Sequence, residues 1–141
     1  MFDINKLAAQ MNEQEKIIFL KVLSVLGKVD NDFDDGEKQF IVNVAKMFGI
    51  SQDKIPSIFE EISKEEVIKE AAMIKNRMVA LSLIREACFM ANCDGDLSDA
   101  EIIFIGKVGG AMGIGFEKIE QISQWVIDYL IWRKQEKIIF N

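Results

Sequence analysis

Two stretches of the chain are apolar almost all the way around a helical turn. One runs from Ile17 to Leu26 and is broken only at Lys21 and Ser24; the other runs from Val79 to Ala91 and is broken at Ser82, Arg85 and Glu86. A helix that is apolar on every side belongs in the middle of a bundle. Helices over 13–29 and 77–93 are therefore predicted as a central pair, the earlier one opened by Asn12 with Glu15 as a capping-box variant. Elsewhere the apolar residues form one-sided stripes at helical spacing: Phe40, Ile41, Val44 and Phe48, then Phe104, Ile105, Val108 and Met112. Asp34-x-x-Glu37 and Ser98-x-x-Glu101 are start signals for these helices, and Gly49 and Gly113 sit where a left-handed C-terminal cap is expected. A third stripe is Ile55, Ile58, Phe59 and Ile62 in the first half, and Ile119, Ile122, Val126 and Tyr129 or Leu130 in the second. Pro56 lies about one turn into the former, so it either removes a hydrogen bond or delays the helix start. Ser63-x-x-Glu66 caps a linking helix predicted over 64–75. No alternating strand pattern occurs, and the fold class is all-α.

The halves correspond. Displaced by 64 positions, residues 30–58 fall on 94–122 without a gap. Asp30, Asp32 and Glu37 then meet Asp94, Asp96 and Glu101; Phe40, Ile41 and Val44 meet Phe104, Ile105 and Val108; Gly49-Ile50 meets Gly113-Ile114. Loop carboxylates, core positions and a glycine stop coincide together, so no single composition bias explains the match. We read an internal pseudo-duplication within one helical domain spanning 1–141. Copy one covers about 13–62, the linking helix about 64–75, and copy two about 77–134.

The 141 residues carry a net charge of −6, which argues against nucleic acid as a partner because phosphate binding needs a basic surface. Histidine is absent, and with it the usual general base and the commonest metal ligand. Cys88 and Cys93, about 140° apart around one predicted helix, are not expected to bridge. They read as small buried residues in a reducing compartment. The opening MFDINKLAAQ has no basic segment followed by an apolar one, so no signal peptide is expected. No apolar run approaches the roughly 18–20 residues that span a bilayer, and the expected location is cytoplasmic.

The acidic turns are the chief candidate site. Asp30, Asp32, Asp34, Asp35 and Glu37 fall within eight residues, as do Asp94, Asp96, Asp99 and Glu101. They do not make EF-hands: Asp35 or Asp99 stands where the loop needs glycine, and Ile41 or Ile105 where it needs a bidentate glutamate. Two readings stay open. The carboxylates are turn and cap residues, favoured by local backbone bonding and the helix macrodipole. Or Asp30, Asp32, Glu37, Asp94, Asp96 and Glu101 share a hard divalent cation, Ca²⁺, Mg²⁺ or Mn²⁺.

The segment "FMANCDGDLSDAEIIFIGKVGGAMGI", residues 89–114, resembles the tellurite-resistance TerB family. It has an apolar-Met-Ala-x-x-Asp-Gly-x-Leu-Ser-x-x-Glu turn and then an apolar helix ending in Met-Gly-Ile. The first copy, "LGKVDNDFDDGEKQFIVNVAKMFGI" over 26–50, resembles the same motif less closely. The likeness covers roughly residues 13–130. It implies an all-helical, internally symmetric domain found in bacteria, linked to tellurite and stress resistance, with metal association and a binding-module role. Asp94, Asp96 and Glu101 match the acidic motif, with Asp30, Asp32 and Glu37 as counterparts. Asn92 and Cys93 replace small alanines, Asp34 replaces Ser or Thr, and Asn31 replaces Gly.

The other features are less pointed. "GKVGGAMGIG" over 106–115 follows no strand and lacks Gly-Lys-Ser/Thr, so it is not a phosphate loop, and Gly109-Gly110 is expected to serve close approach of another helix or, failing that, backbone contact with a ligand. Met73, Met78 and Met90 read as core filling. Trp125, Tyr129, Trp132 and Phe140 exceed what one helical face can bury. They either cover an end of the bundle or, through Trp125, Tyr129 and Trp132, form a surface for a protein partner. No catalytic residues are assigned, since no histidine is available to activate a serine or cysteine. The expected function is a non-enzymatic binding or scaffold module without an organic cofactor. The alternative is a metal-dependent acid–base or hydrolytic enzyme using the same carboxylates.

Overall fold

A computed structural model describes residues 3–29, 33–92 and 97–141, and among them there is no strand. The helices are α1 (Ile4–Ala9), α2 (Glu13–Lys28), α3 (Asp35–Met47), α4 (Ile55–Ile58), α5 (Lys64–Ala71), α6 (Arg77–Ala91), α7 (Asp99–Ala111) and α8 (Phe116–Ile139). A single 3₁₀ turn, Gln52–Lys54, leads into α4.

α2 and α6 lie side by side in the middle, as their all-round apolar character requires. α2 touches α3, α4, α5, α6 and α7; α6 touches α1, α2, α7 and α8. Phe19, Leu20, Leu23 and Leu26 on α2 and Leu83 on α6 are wholly removed from solvent. Burying each such side chain stabilises the fold by roughly 1.5–3 kcal/mol. Phe48, at the end of α3, meets Phe19 edge-on with ring centres 5.0 Å apart. Buried residues from Leu7 to Val126 form one continuous core.

The local start and stop signals take the same form in α3 and α7. The Asp34 Oδ1 accepts from the Glu37 N–H at 2.7 Å, and the Glu37 Oε1 accepts from the Asp34 N–H at 3.3 Å. In α7 the Ser98 Oγ accepts from the Glu101 N–H at 3.2 Å and the Glu101 Oε1 from the Ser98 N–H at 2.9 Å. Both helices end in a Schellman turn. Gly49 (φ 77°) and Gly113 (φ 81°) take the left-handed conformation. The Ile50 N–H then reaches the Ala45 carbonyl at 3.0 Å, and the Ile114 N–H reaches that of Gly109 at 2.8 Å. Each isoleucine is buried, giving the apolar contact that accompanies the motif.

The third segments differ. Pro56 sits in the first turn of α4, where its missing N–H costs nothing, but α4 ends after four residues. The segment aligned with it in the sequence, α8, has no proline and runs for 24 residues. The linking helix stops at Ala71 rather than 75, because the chain turns to bury Ile74 and Asn76 then caps α6 by accepting from the Met78 and Val79 N–H groups. α1 was not legible in the periodicity; Asp3 caps it and Leu7 anchors it in the core. Two of the three expected core methionines are not core. Met90 is buried, but Met73, in the turn after α5, and Met78, at the start of α6, are about half exposed.

The glycines of α7 serve separate ends. A Cβ on Gly109 would run into Ile119 Cδ1 of α8, with Ile84 of α6 behind it, so α8 crosses there because position 109 has no side chain. A Cβ on Gly110 would meet nothing. Gly110→Ala is therefore expected to raise the unfolding free energy by up to about 1 kcal/mol through helix propensity. Gly113→Ala should lower it by roughly 1–2 kcal/mol through left-handed strain, and Gly109→Leu by roughly 1–3 kcal/mol through overpacking. Urea unfolding of the three variants checks the signs.

Candidate functional site

Of the six residues proposed to share a cation, Asp30, Asp32, Asp94 and Asp96 lie outside the described residues. The structure places the other two. Glu37 and Glu101 are buried at the first turns of α3 and α7, where each carboxylate closes a capping box. This cap role draws one oxygen of each toward the backbone of its own turn. Among the described residues, no group of three or more Asp, Glu or Cys side chains is placed to hold a metal ion. Nor is any helix among them long and apolar enough to cross a membrane.

A second feature lies between α7 and α8. A pocket of about 570 Å³ is lined by Leu97, Ile102, Ile105, Phe116 and Ile119, together with Glu117, Glu120 and the buried Cys88 of α6. Burial pushes the Cys88 thiol up to about 11, against a hydrogen bond with Ser123 that favours the thiolate. At neutral pH the sulfur is therefore protonated, and only the thiolate is a good nucleophile. The expectation of a small, free, buried cysteine at 88 agrees with this; Cys93 lies outside the described residues.

A third feature, a partly exposed aromatic surface, lies between α6 and α8. A groove of about 850 Å³ is lined by Met78, Leu81, Phe89, Ile122, Trp125 and Tyr129, with Arg85 and Lys118 among its polar groups. Helical spacing makes it: Arg85 and Phe89 are one turn apart on α6, as are Trp125 and Tyr129 on α8. Phe89 meets Trp125 and Tyr129 edge-on at 6.2 and 5.6 Å, and Trp125 stacks on Tyr129 at 5.9 Å. The Arg85 guanidinium lies over both the Phe89 and Trp125 rings, at 5.2 and 5.6 Å from their centres. These contacts fix the aromatic wall without covering it, for Trp125 remains 51% exposed. Trp132 stands one step beyond, 6.5 Å from Tyr129, and is exposed, as is Phe140. Trp132 and Phe140 thus stay largely in solvent, while Trp125 and Tyr129 pack against Phe89 of α6. Sequence reasoning named Trp125, Tyr129 and Trp132 but missed Phe89 and Arg85. The signal was present in the i, i+4 pairing of Arg85 and Phe89 within a helix otherwise apolar all round.

Beneath this wall Arg85 also pairs with Glu86, Nη1 to Oε1 3.2 Å. Glu86 is buried, and desolvation pushes its carboxyl above the ordinary value; the neighbouring Arg85 charge opposes the shift without cancelling it.

Compared with protein-family models, curated proteins and solved structures, the chain matches none of them.

Two outcomes follow. A carboxyl whose folded value is raised binds its proton more tightly in the folded state, so its contribution to stability is present at low pH and lost as pH rises through that value. Glu86→Gln should therefore melt close to the wild type at pH 4 and above it at pH 7, in thermal scans at both pH values. Cys88 should resist iodoacetamide at pH 8 in the native protein and react once the chain is unfolded in urea, as read by peptide mass mapping.

Proposed function

We propose that this protein is a TerB-like, internally duplicated, non-enzymatic cytoplasmic binding module acting in a stress or tellurite-resistance setting. In this reading the groove between α6 and α8 holds an apolar, acidic segment of a protein partner, and the acidic turns associate with a divalent cation. The groove is the observation that carries it. Aromatic side chains prepositioned by stacking, half exposed and flanked by cations, are the ordinary anchors of protein interfaces. Arg85 and Lys118 set the preference for carboxylates in an otherwise acidic chain. The duplication is supported by the paired capping boxes, the paired Schellman turns and the central placement of α2 and α6. The TerB likeness rests on the sequence motif over 89–114 and its fainter copy over 26–50. The cation reading rests on the paired carboxylates at 30–37 and 94–101.

Selection of a displayed peptide library against the protein tests the groove. Enriched peptides should combine Leu, Phe or Trp with Asp or Glu. Trp125→Ala should weaken their binding by about 2 kcal/mol, a value ordinary for a buried aromatic anchor, and Lys118→Glu should remove the acidic preference. Peptides insensitive to both changes sink the reading. The cation arm is separate: calorimetric titration with Ca²⁺, Mg²⁺, Mn²⁺ and Zn²⁺ should give heats that vanish when Asp30, Asp32, Asp94 and Asp96 become Asn. Heats near zero in the unaltered protein leave the interaction module without a metal.

A further inference from the structure

The last turns of α8 stand clear of the bundle: every residue from Ile131 to Asn141 is exposed. The helix is anchored by Ile119 and Val126, its two buried residues. At 100° per residue, Ile131, Trp132, Gln135, Ile138 and Ile139 fall within about 120° of one another, on the side of the helix facing away from those anchors. The four apolar members are 50%, 62%, 78% and 68% exposed. Here is a second apolar stripe on a helix whose first stripe is already used.

The stripe is symmetric about Gln135. Apolar residues stand three and four positions before it and three and four positions after it. Two such faces laid antiparallel, with a two-fold axis at Gln135, put Ile131 opposite Ile139 of the second copy and Trp132 opposite Ile138. An isologous contact requires this self-complementarity. The one polar group in the seam is an amide, which both donates and accepts, so Gln135 can bond its own copy across the axis. The orientation follows from charge. On the same outward side, the earlier turns of α8 carry Glu117, Glu120 and Asp128, and all three are exposed. Parallel pairing would set these carboxylates against themselves, whereas antiparallel pairing keeps the two acidic bodies at opposite ends. We propose that this face is a homotypic interface through which two copies of the chain associate antiparallel along the end of α8. Its short seam puts it at the small end of stable interfaces, so the association is weak and reversible.

Sedimentation equilibrium from about 5 to 500 µM, the range a small interface demands, should show a monomer–dimer equilibrium. Ile138→Glu should weaken it at least tenfold. Ile103→Glu, which alters an exposed isoleucine on α7, should leave it unchanged. Both positions are exposed, so the variants should keep the parent's helical circular dichroism. A mixture of Ile131→Cys and Ile139→Cys should form an interchain disulfide on oxidation, mapped by mass spectrometry. Ile131→Cys cross-linking only to itself would overturn the antiparallel arrangement. A chain that is monomeric throughout the range overturns the interface, as does equal loss from Ile103→Glu. A monomer that co-sediments with anionic phospholipid vesicles would give the stripe to lipid instead. None of these substitutions touches the lining of the α6–α8 groove, so the outcome is independent of the groove's function.

Discussion

The burial of α2 against α6 is the constraint from which the rest of the structure follows. Neither helix has a polar side wide enough to face water, so each must be covered all round. The other helices supply that cover: α3, α4 and α5 around α2, and α1, α7 and α8 around α6, with α7 also reaching α2. Their one-sided stripes are the complement of the two all-sided helices. The short capped turns then set where each covering helix begins and ends. Glu37 and Glu101 are buried because the cap that starts each covering helix lies against the core, which ties the acidic turns to packing as well as to any ligand they take.

Cover is unequal around the two central helices, and the exposed chemistry arises from that inequality. Pro56 and the one-turn α4 leave the first half with a short third segment, after which the chain continues into α5. The second half has the long α8, whose early turns pack on α6 and α7 and whose late turns extend past them. One side of α8 meets α6 imperfectly and leaves the aromatic groove. The opposite side, further along, carries a stripe that no described residue covers. Arg85 and Glu86 mark where α6 approaches that groove: the two polar residues interrupting its apolar surface form an ion pair beside the aromatic wall.

Among the described residues, the fully buried side-chain nitrogens and oxygens have hydrogen-bond partners apart from the Ser24 hydroxyl. The Ser82 hydroxyl donates to the Met78 carbonyl at 2.7 Å, a local solution inside a crowded helix. Glu86 keeps a cation beside it but loses solvation, and so its charge depends on pH. Cys88, pushed up to about 11 by burial, behaves as an apolar filler beneath the α7–α8 pocket.

Much of this was determined by the sequence alone, because the signals are local. Apolar spacing marked the central helices, Asp34-x-x-Glu37 and Ser98-x-x-Glu101 marked two helix starts, and Gly49 and Gly113 marked two stops. At the starts a side chain satisfies backbone groups a few residues away, and at the stops a missing Cβ lets the backbone turn and bond itself, so nothing distant is needed. What only the tertiary structure decided depends on which surfaces meet. Met73 and Met78 share the composition of core residues yet lie outside it. Gly109 and Gly110 are identical neighbours, but only the former is crossed by Ile119. Phe89 and Arg85 become part of a groove because α8 brings Trp125 and Tyr129 to them across a gap of more than thirty residues. Periodicity says which side of a helix is apolar; only the packed neighbour says whether that side is covered.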